Sequence, residues 1–224
     1  MELKGKIIDF LGDSITEGVG VEDVETNRYD NVIHRRFDLA AHYNYGVGGT
    51  RLAHQSVPSE KPRYDLCFCG RAYHLEPSAD VIVVYGGVND YIHGDAYFGT
   101  PLDRTPDTYC GAVHFLMEFL KITYPQSTIV FITPAHMHFR GDSDKFVSPR
   151  PIKKPDAQPL YAYVDVIKEK GKELGVHVLD LFEKLPIDPN NESDRIKYTT
   201  DGLHLNDIGH TVLAEVLGDF LEQI

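Results

Sequence analysis

The chain has 224 residues, 42% of them hydrophobic, which is enough to bury one sizeable core and lies within the range of a single α/β domain. Its 22 Lys and Arg against 34 Asp and Glu leave a net charge of −12 with no basic stripe to offset it, so a polyanion such as nucleic acid meets net repulsion. Three cysteines, an odd number with Cys67 and Cys69 two apart, do not make a disulfide framework and read as reduced thiols.

The N-terminal segment MELKGKIIDFLGDS holds only about five apolar residues before charge and glycine return. That is too few for a signal sequence or a membrane span and predicts a cytoplasmic protein without a membrane partner. Within it KIIDFL (6–11) is the first predicted strand, and it runs into Gly12, Asp13 and Ser14. NRYDNVIHRRFDLAA has helical apolar spacing, and HYNYG (42–46) is a second strand ending at Gly46, Gly48 and Gly49. DVIVVYG (80–86) is apolar at nearly every position, as a strand covered by helices on both faces must be; Gly86, Gly87 and Asn89 follow it. The helical pattern of TPDTYCGAVHFLMEFLKITY then precedes the strand STIVFIT (127–133). Residues 134–159 are too rich in proline and charge for regular structure. A helix over PLYAYVDVIKEKGKELG, a strand at VHVLDL (176–181) and a last helix at NDIGHTVLAEVLGDFLEQ complete the chain. There is no internal repeat and no linker long enough to separate domains, so residues 1–224 read as one domain. Strands alternating with helices predict an α/β fold with a parallel, doubly wound sheet.

In such a sheet ligands bind beyond the carboxyl ends of the strands, so the residues that follow each strand are the candidates for chemistry. Ser14, at a strand-to-helix turn, is a candidate nucleophile, but a serine hydroxyl is weak until a histidine accepts its proton and an acid orients that histidine. Asp201 and His204, three apart in DGLHLND, can meet within one turn and leave Nε2 free, with Asn206 or Asp207 capping the helix behind them. An oxyanion needs donors, and three converge: the backbone N–H of Ser14, that of Gly49, and the side-chain amide of Asn89.

Four blocks carry a resemblance. FLGDSITEG, NYGVGGTRL, YGGVND and DGLHLN, spanning residues 10 to 206, resemble in order the four motif blocks of the SGNH (GDSL) hydrolase superfamily. Gly48 stands in the second block where many members have Ser or another small residue, which leaves the backbone donor intact. The resemblance implies a three-layer, flavodoxin-like fold with five parallel strands in the order 2-1-3-4-5. It also implies ester hydrolysis through an acyl-serine, with Ser14, His204 and Asp201 catalytic and Ser14, Gly49 and Asn89 forming the oxyanion hole. No metal or organic cofactor is required. Members range over lipases, thioesterases, lysophospholipases and carbohydrate deacetylases, so the resemblance does not choose a substrate.

Polar, aromatic-bearing segments near the proposed site (HMHFRGDSDKF, YIHGDAYFG, TRLAHQS) favour a small-molecule or carbohydrate ester carrying a short acyl group, with His136 and His138 as candidate substrate-binding residues. The alternatives are a lysophospholipase or acyl thioesterase and, outside enzymes, a carbohydrate-binding module with a decayed site. Against the last, no triad member or oxyanion donor is missing. Asp13 and Asp90 read as residues bonding their own turns, and the second GDS, at Gly141, Asp142 and Ser143, reads as loop because no apolar strand leads into it. His136 and His138 could pair on a metal only if more ligands joined them, and no nearby cysteine or carboxylate spacing completes a set.

Overall fold

A computed structural model describes residues 1–140 and 142–224. The described residues hold strands β1 (Ile7–Gly12), β2 (Ala41–Gly46), β3 (Val81–Tyr85), β4 (Thr128–Ile132), β5 (His138–Phe139), β6 (Asp142–Ser143) and β7 (His177–Leu179). Their helices are α1 (Ser14–Glu17), α2 (Val24–Asn27), α3 (Tyr29–Phe37), α4 (Phe68–Arg71), α5 (Val88–His93), α6 (Tyr109–Thr123), α7 (Leu160–Leu174), α8 (Leu181–Lys184), α9 (Glu192–Tyr198) and α10 (Asp207–Gln223).

Five strands form one parallel sheet in the order β2-β1-β3-β4-β7, the order expected of a flavodoxin-like fold. Alternation along β3 explains why helices must cover both faces. Ile82 and Val84 join one buried cluster with Leu116, Tyr163 and Ile167 of α6 and α7. Val81, Val83 and Tyr85 join the other, with Ile33 of α3 and Leu213 and Leu217 of α10. A fully buried valine or isoleucine contributes roughly 1.5–3 kcal/mol over an exposed one, so a strand apolar on both sides is stable only between two layers.

Register then positions the site. Gly12 pairs with Gly46 on one side and with Tyr85 on the other, so β1, β2 and β3 all end at one level of the sheet. The loops beginning at Asp13, Val47 and Gly86 therefore open side by side. Arg71, from α4, ties these ends together: one nitrogen donates to the Tyr45 carbonyl, and another to the Gly12 carbonyl at 3.0 Å and to Thr50 Oγ1 at 2.9 Å. Gly12 has to be glycine, because a Cβ there would lie 1.9 Å from Thr16 Oγ1 in α1.

The segment after β4 is mostly irregular, as its prolines require, with one short addition: β5 and β6 pair antiparallel, His138 opposite Ser143. The Gly141 of the second GDS lies outside the described residues. No helix of the described residues is long and apolar enough to cross a membrane.

Candidate active site

Ser14 is the first residue of α1, behind Asp13, whose carboxylate accepts the N–H of Ile15 at 3.0 Å and so caps the helix. The capping role thus belongs to Asp13 and leaves the Ser14 hydroxyl free. That hydroxyl lies 2.9 Å from Nε2 of His204, which is 190 residues away in the chain. On the other side of the ring, Nδ1 of His204 is 2.7 Å from Oδ2 of Asp201. Oδ1 of Asp201 accepts the backbone N–H groups of His204 at 2.8 Å and Leu203 at 3.1 Å, so one carboxylate holds both the ring and the turn that carries it. Burial raises the tendency of Asp201 to hold a proton, but the bonds from His204 outweigh it and keep its pKa below the ordinary carboxylate value. An ionised Asp201 accepts Nδ1–H and leaves Nε2 as the acceptor of the serine proton. Asn206 caps α10 directly behind this turn, accepting from Gly209 N at 3.0 Å.

The loop after β2 approaches Ser14 from the other side. Glu17 Oε2 accepts the N–H of Gly48 at 2.8 Å, while its Oε1 pairs with Arg63 at 2.6 Å. Gly49 adopts a left-handed conformation, φ +79°, and a Cβ on it would strike the Tyr64 ring at 2.5 Å. Among the described residues, neither the N–H of Ser14 nor that of Gly49 donates to a protein acceptor. Asn89, in the first turn of α5, is differently placed. Its Nδ2 donates to the Thr50 carbonyl at 3.0 Å and to Oδ2 of Asp13 at 3.2 Å, so both amide hydrogens have partners inside the protein.

Asp13 and Asp90 are both buried, and burial pushes each up to about 6. Asp13 bonds its own turn, as the sequence suggests. Asp90 does not: it accepts the N–H groups of Leu52 at 2.9 Å and Ala53 at 3.0 Å, holding the loop after Gly49 against α5. Residues so far apart in sequence give no local signal of that pairing.

A cleft of about 400 Å³ opens over Ser14, with Asn89, His93, Glu17, Arg63, Tyr64 and Phe139 among its walls. His136 is not in it. Its Nδ1 binds Asp144 at 2.8 Å, its ring packs on Phe182, and it lines a separate, largely apolar pocket with Ile15, Leu185 and Ile187. His138 donates its backbone N–H to the Gly202 carbonyl at 2.8 Å and borders a third cavity with Asp201. Neither histidine belongs to β4, which stops at Ile132 ahead of Pro134; His138 begins β5. Among the described residues, no group of three or more His, Cys, Asp or Glu side chains is arranged to hold a metal ion. Glu17, Arg63, Tyr64 and His93 were not legible as site residues, although Glu17 lies one turn from Ser14 and His93 one turn from Asn89.

The sequence profile of the GDSL-like lipase/acylhydrolase family matches residues 10–212. No curated protein matches the chain. Among solved structures, a protein from Lactobacillus plantarum is 27% identical, with a TM-score of 0.80 over 98% of each chain. A two-domain esterase active on acetylated mannans is 17% identical, with a TM-score of 0.62 over 99% of this chain and 50% of its own. An acetyl xylan esterase is 19% identical, with a TM-score of 0.59 over 95% of this chain and 98% of that one. These last two share the fold. The profile runs from β1 into α10 and takes in all four motif loops that meet at the carboxyl edge of the sheet, and on that ground the chain belongs to the GDSL-like lipase/acylhydrolase family.

Proposed function

We propose that the chain is a serine esterase that hydrolyses short-acyl esters, acetyl foremost, with a carbohydrate as the favoured leaving group. The observation that carries the reaction class is the line from Ser14 Oγ through the His204 ring to Asp201, with contacts of 2.9 and 2.7 Å. Ser14 attacks the ester carbonyl as His204 Nε2 takes its proton, and Asp201 stabilises the imidazolium that forms. The N–H groups of Ser14 and Gly49 receive the oxyanion, and Asn89 joins them by exchanging its longer bond, the one to Asp13, for the developing charge. His204 returns the proton to the departing alcohol. Water activated in the same way then releases the acid and restores Ser14.

The substrate reading rests on the cleft. Val19, Ile92 and Leu203 offer apolar surface for a small acyl group, while Glu17, Arg63 and Arg140 bring charge to the same walls. Each methylene laid against such walls forfeits the roughly 0.8 kcal/mol that burial would supply. Tyr64 and Phe139 provide ring faces, and the charged groups provide hydrogen bonds, for a hydroxyl-rich leaving group. The acetyl xylan esterase and the mannan-active esterase have names that fit this class, but their likeness is one of fold.

The test is a series of p-nitrophenyl esters from acetyl to dodecanoyl beside acetylated sugars, with fluorophosphonate labelling of the wild-type chain and Ser14→Ala. The reading expects labelling that requires Ser14 and a kcat/KM highest for acetyl or propionyl. A kcat/KM that climbs steadily to dodecanoyl replaces the short-acyl reading with a lysophospholipase or thioesterase. Absence of labelling removes the esterase itself.

A further inference from the structure

His93 is the last residue of α5, one turn after Asn89, and is a partly buried residue of the cleft wall. Its Nδ1 is 3.1 Å from Nη1 of Arg51, and its Nε2 is 3.0 Å from Oδ1 of Asn89. Arg51 is itself buried, 3% exposed, and its other terminal nitrogen is held by Ser59 Oγ at 3.0 Å, the Tyr64 carbonyl at 2.9 Å and Asp65 at 3.1 Å.

The protons in this line follow from donor chemistry alone. A guanidinium only donates, so His93 Nδ1 accepts; a neutral imidazole has one N–H, so Nε2 carries it and donates to Asn89. The atom of Asn89 that faces His93 must then be oxygen. The amide nitrogen is turned to the opposite side, toward Asp13, Thr50 and the Ser14 end of the cleft. Burial, with the charges of Arg51, Lys153 and Arg150, pushes His93 down to about 4, so the ring is neutral at neutral pH and the assignment is self-consistent.

We propose that His93, fixed by Arg51, is a positioning residue that anchors the oxygen end of the Asn89 carboxamide and so keeps its nitrogen end toward the reacting carbonyl when the Asp13 bond is given up. This rests on the oxyanion role given above to Asn89. The Thr50 carbonyl and the Asp13 carboxylate hold the nitrogen side, but the Asp13 bond is the one exchanged for the oxyanion, so without a donor at His93 the oxygen side loses its partner and the carboxamide is held by Thr50 alone as the charge develops. His93 touches no reacting atom itself.

The test uses steady-state hydrolysis of p-nitrophenyl acetate by the full chain carrying His93→Leu, His93→Gln or His93→Glu, each also combined with Asn89→Ala. His93→Leu should lower kcat about 10- to 100-fold with KM within about threefold of wild type, the cost of a misplaced transition-state donor. His93→Gln can accept from Arg51 and donate to Asn89, and should recover kcat to within about fivefold of wild type. His93→Glu is the same size and a better partner for Arg51, but it donates nothing when ionised, and should stay at or below the Leu variant. Behind Asn89→Ala the three substitutions should differ by less than about twofold, because nothing remains to be oriented.

Recovery by Glu equal to that by Gln overturns the proposal in favour of a packing or Arg51-anchoring role. Losses that add in full to that of Asn89→Ala overturn it in favour of direct action on substrate. An impaired Asn89→Ala beside an unaffected His93→Leu removes the His93 role and leaves the oxyanion reading standing; a wild-type kcat in Asn89→Ala removes both. Should the Leu variant fail to fold, the Gln and Glu pair decides alone.

Discussion

Asp207 grips Asn27 across 180 residues of sequence: its Oδ2 accepts Asn27 Nδ2 at 2.9 Å, while its Oδ1 accepts the Glu22 N–H at 2.8 Å. Two successive residues at the start of α10 thus divide the work, Asn206 capping the helix and Asp207 holding the segment that follows α1. Since His204 lies two residues before Asn206 and Ser14 begins α1, the grip helps to fix the distance between them. Asp207→Ala should lower kcat/KM for p-nitrophenyl acetate about 10-fold, through geometry alone. Because the bonds are near the surface, thermal melts should show a Tm within a few degrees of wild type. An unchanged kcat/KM shows that the two loops hold their spacing without it.

Two serines follow a Gly-Asp pair, and their surroundings differ. Ser14 faces an imidazole; the Oγ of Ser143 is 3.4 Å from Oδ1 of Asn190 and 3.4 Å from the N–H of Lys145. Ser14→Ala should reduce ester hydrolysis by at least about 10³-fold, and Ser143→Ala by less than about twofold. Parallel assays of the two variants at saturating ester check this, and comparable losses would sink the assignment of Ser14.

Gly49 sits where a side chain meets two obstacles, a positive φ and the Tyr64 ring. Gly49→Ala should cost about 1–3 kcal/mol of stability, read as a lower denaturation midpoint in urea. The displaced loop should also carry its N–H away from the oxyanion position, with kcat falling further than KM rises. A stable, fully active alanine variant would show that neither the conformation nor the close approach is required.

Asp9, buried in β1, accepts the Glu76 N–H at 2.7 Å through Oδ2, and its Oδ1 has no partner among the described residues. Burial pushes this carboxyl up to about 7. The folded chain therefore keeps the proton that the unfolded chain loses near pH 4, and the stability this supplies is complete below about pH 4 and lost as pH rises to about 7. Asp9→Asn, neutral throughout, should flatten that dependence. Its Tm relative to wild type should rise between pH 5 and pH 7.5 by several degrees, at roughly 2–4 °C per kcal/mol. The same difference at both values would mean that Asp9 does not titrate in this interval.

The chain's periodicity determined the sheet. β3 is apolar at successive positions and the helices at 29–37, 109–123, 160–174 and 207–223 carry apolar stripes, so burial on one or two faces is written locally and the alternation forces a parallel sheet. Glycines and small polar residues at the strand ends likewise marked Ser14, Gly49 and Asn89, and the turn before α10 marked Asp201 and His204, because turns and caps are chosen by residues within three or four positions of one another. The partners that orient those residues had no such mark. Arg71 reaching the ends of β1 and β2, Asp90 holding Leu52 and Ala53, Glu17 bound to Gly48 and Arg63, and Arg51 fixing His93 all join side chains to groups in other loops. His136 shows the converse: it follows the end of β4, yet it is drawn to Asp144 and away from the cleft over Ser14. Local rules act over a turn of helix or a step of strand, whereas these contacts exist only once register has brought separate strand ends to one level. Tertiary structure alone decided them.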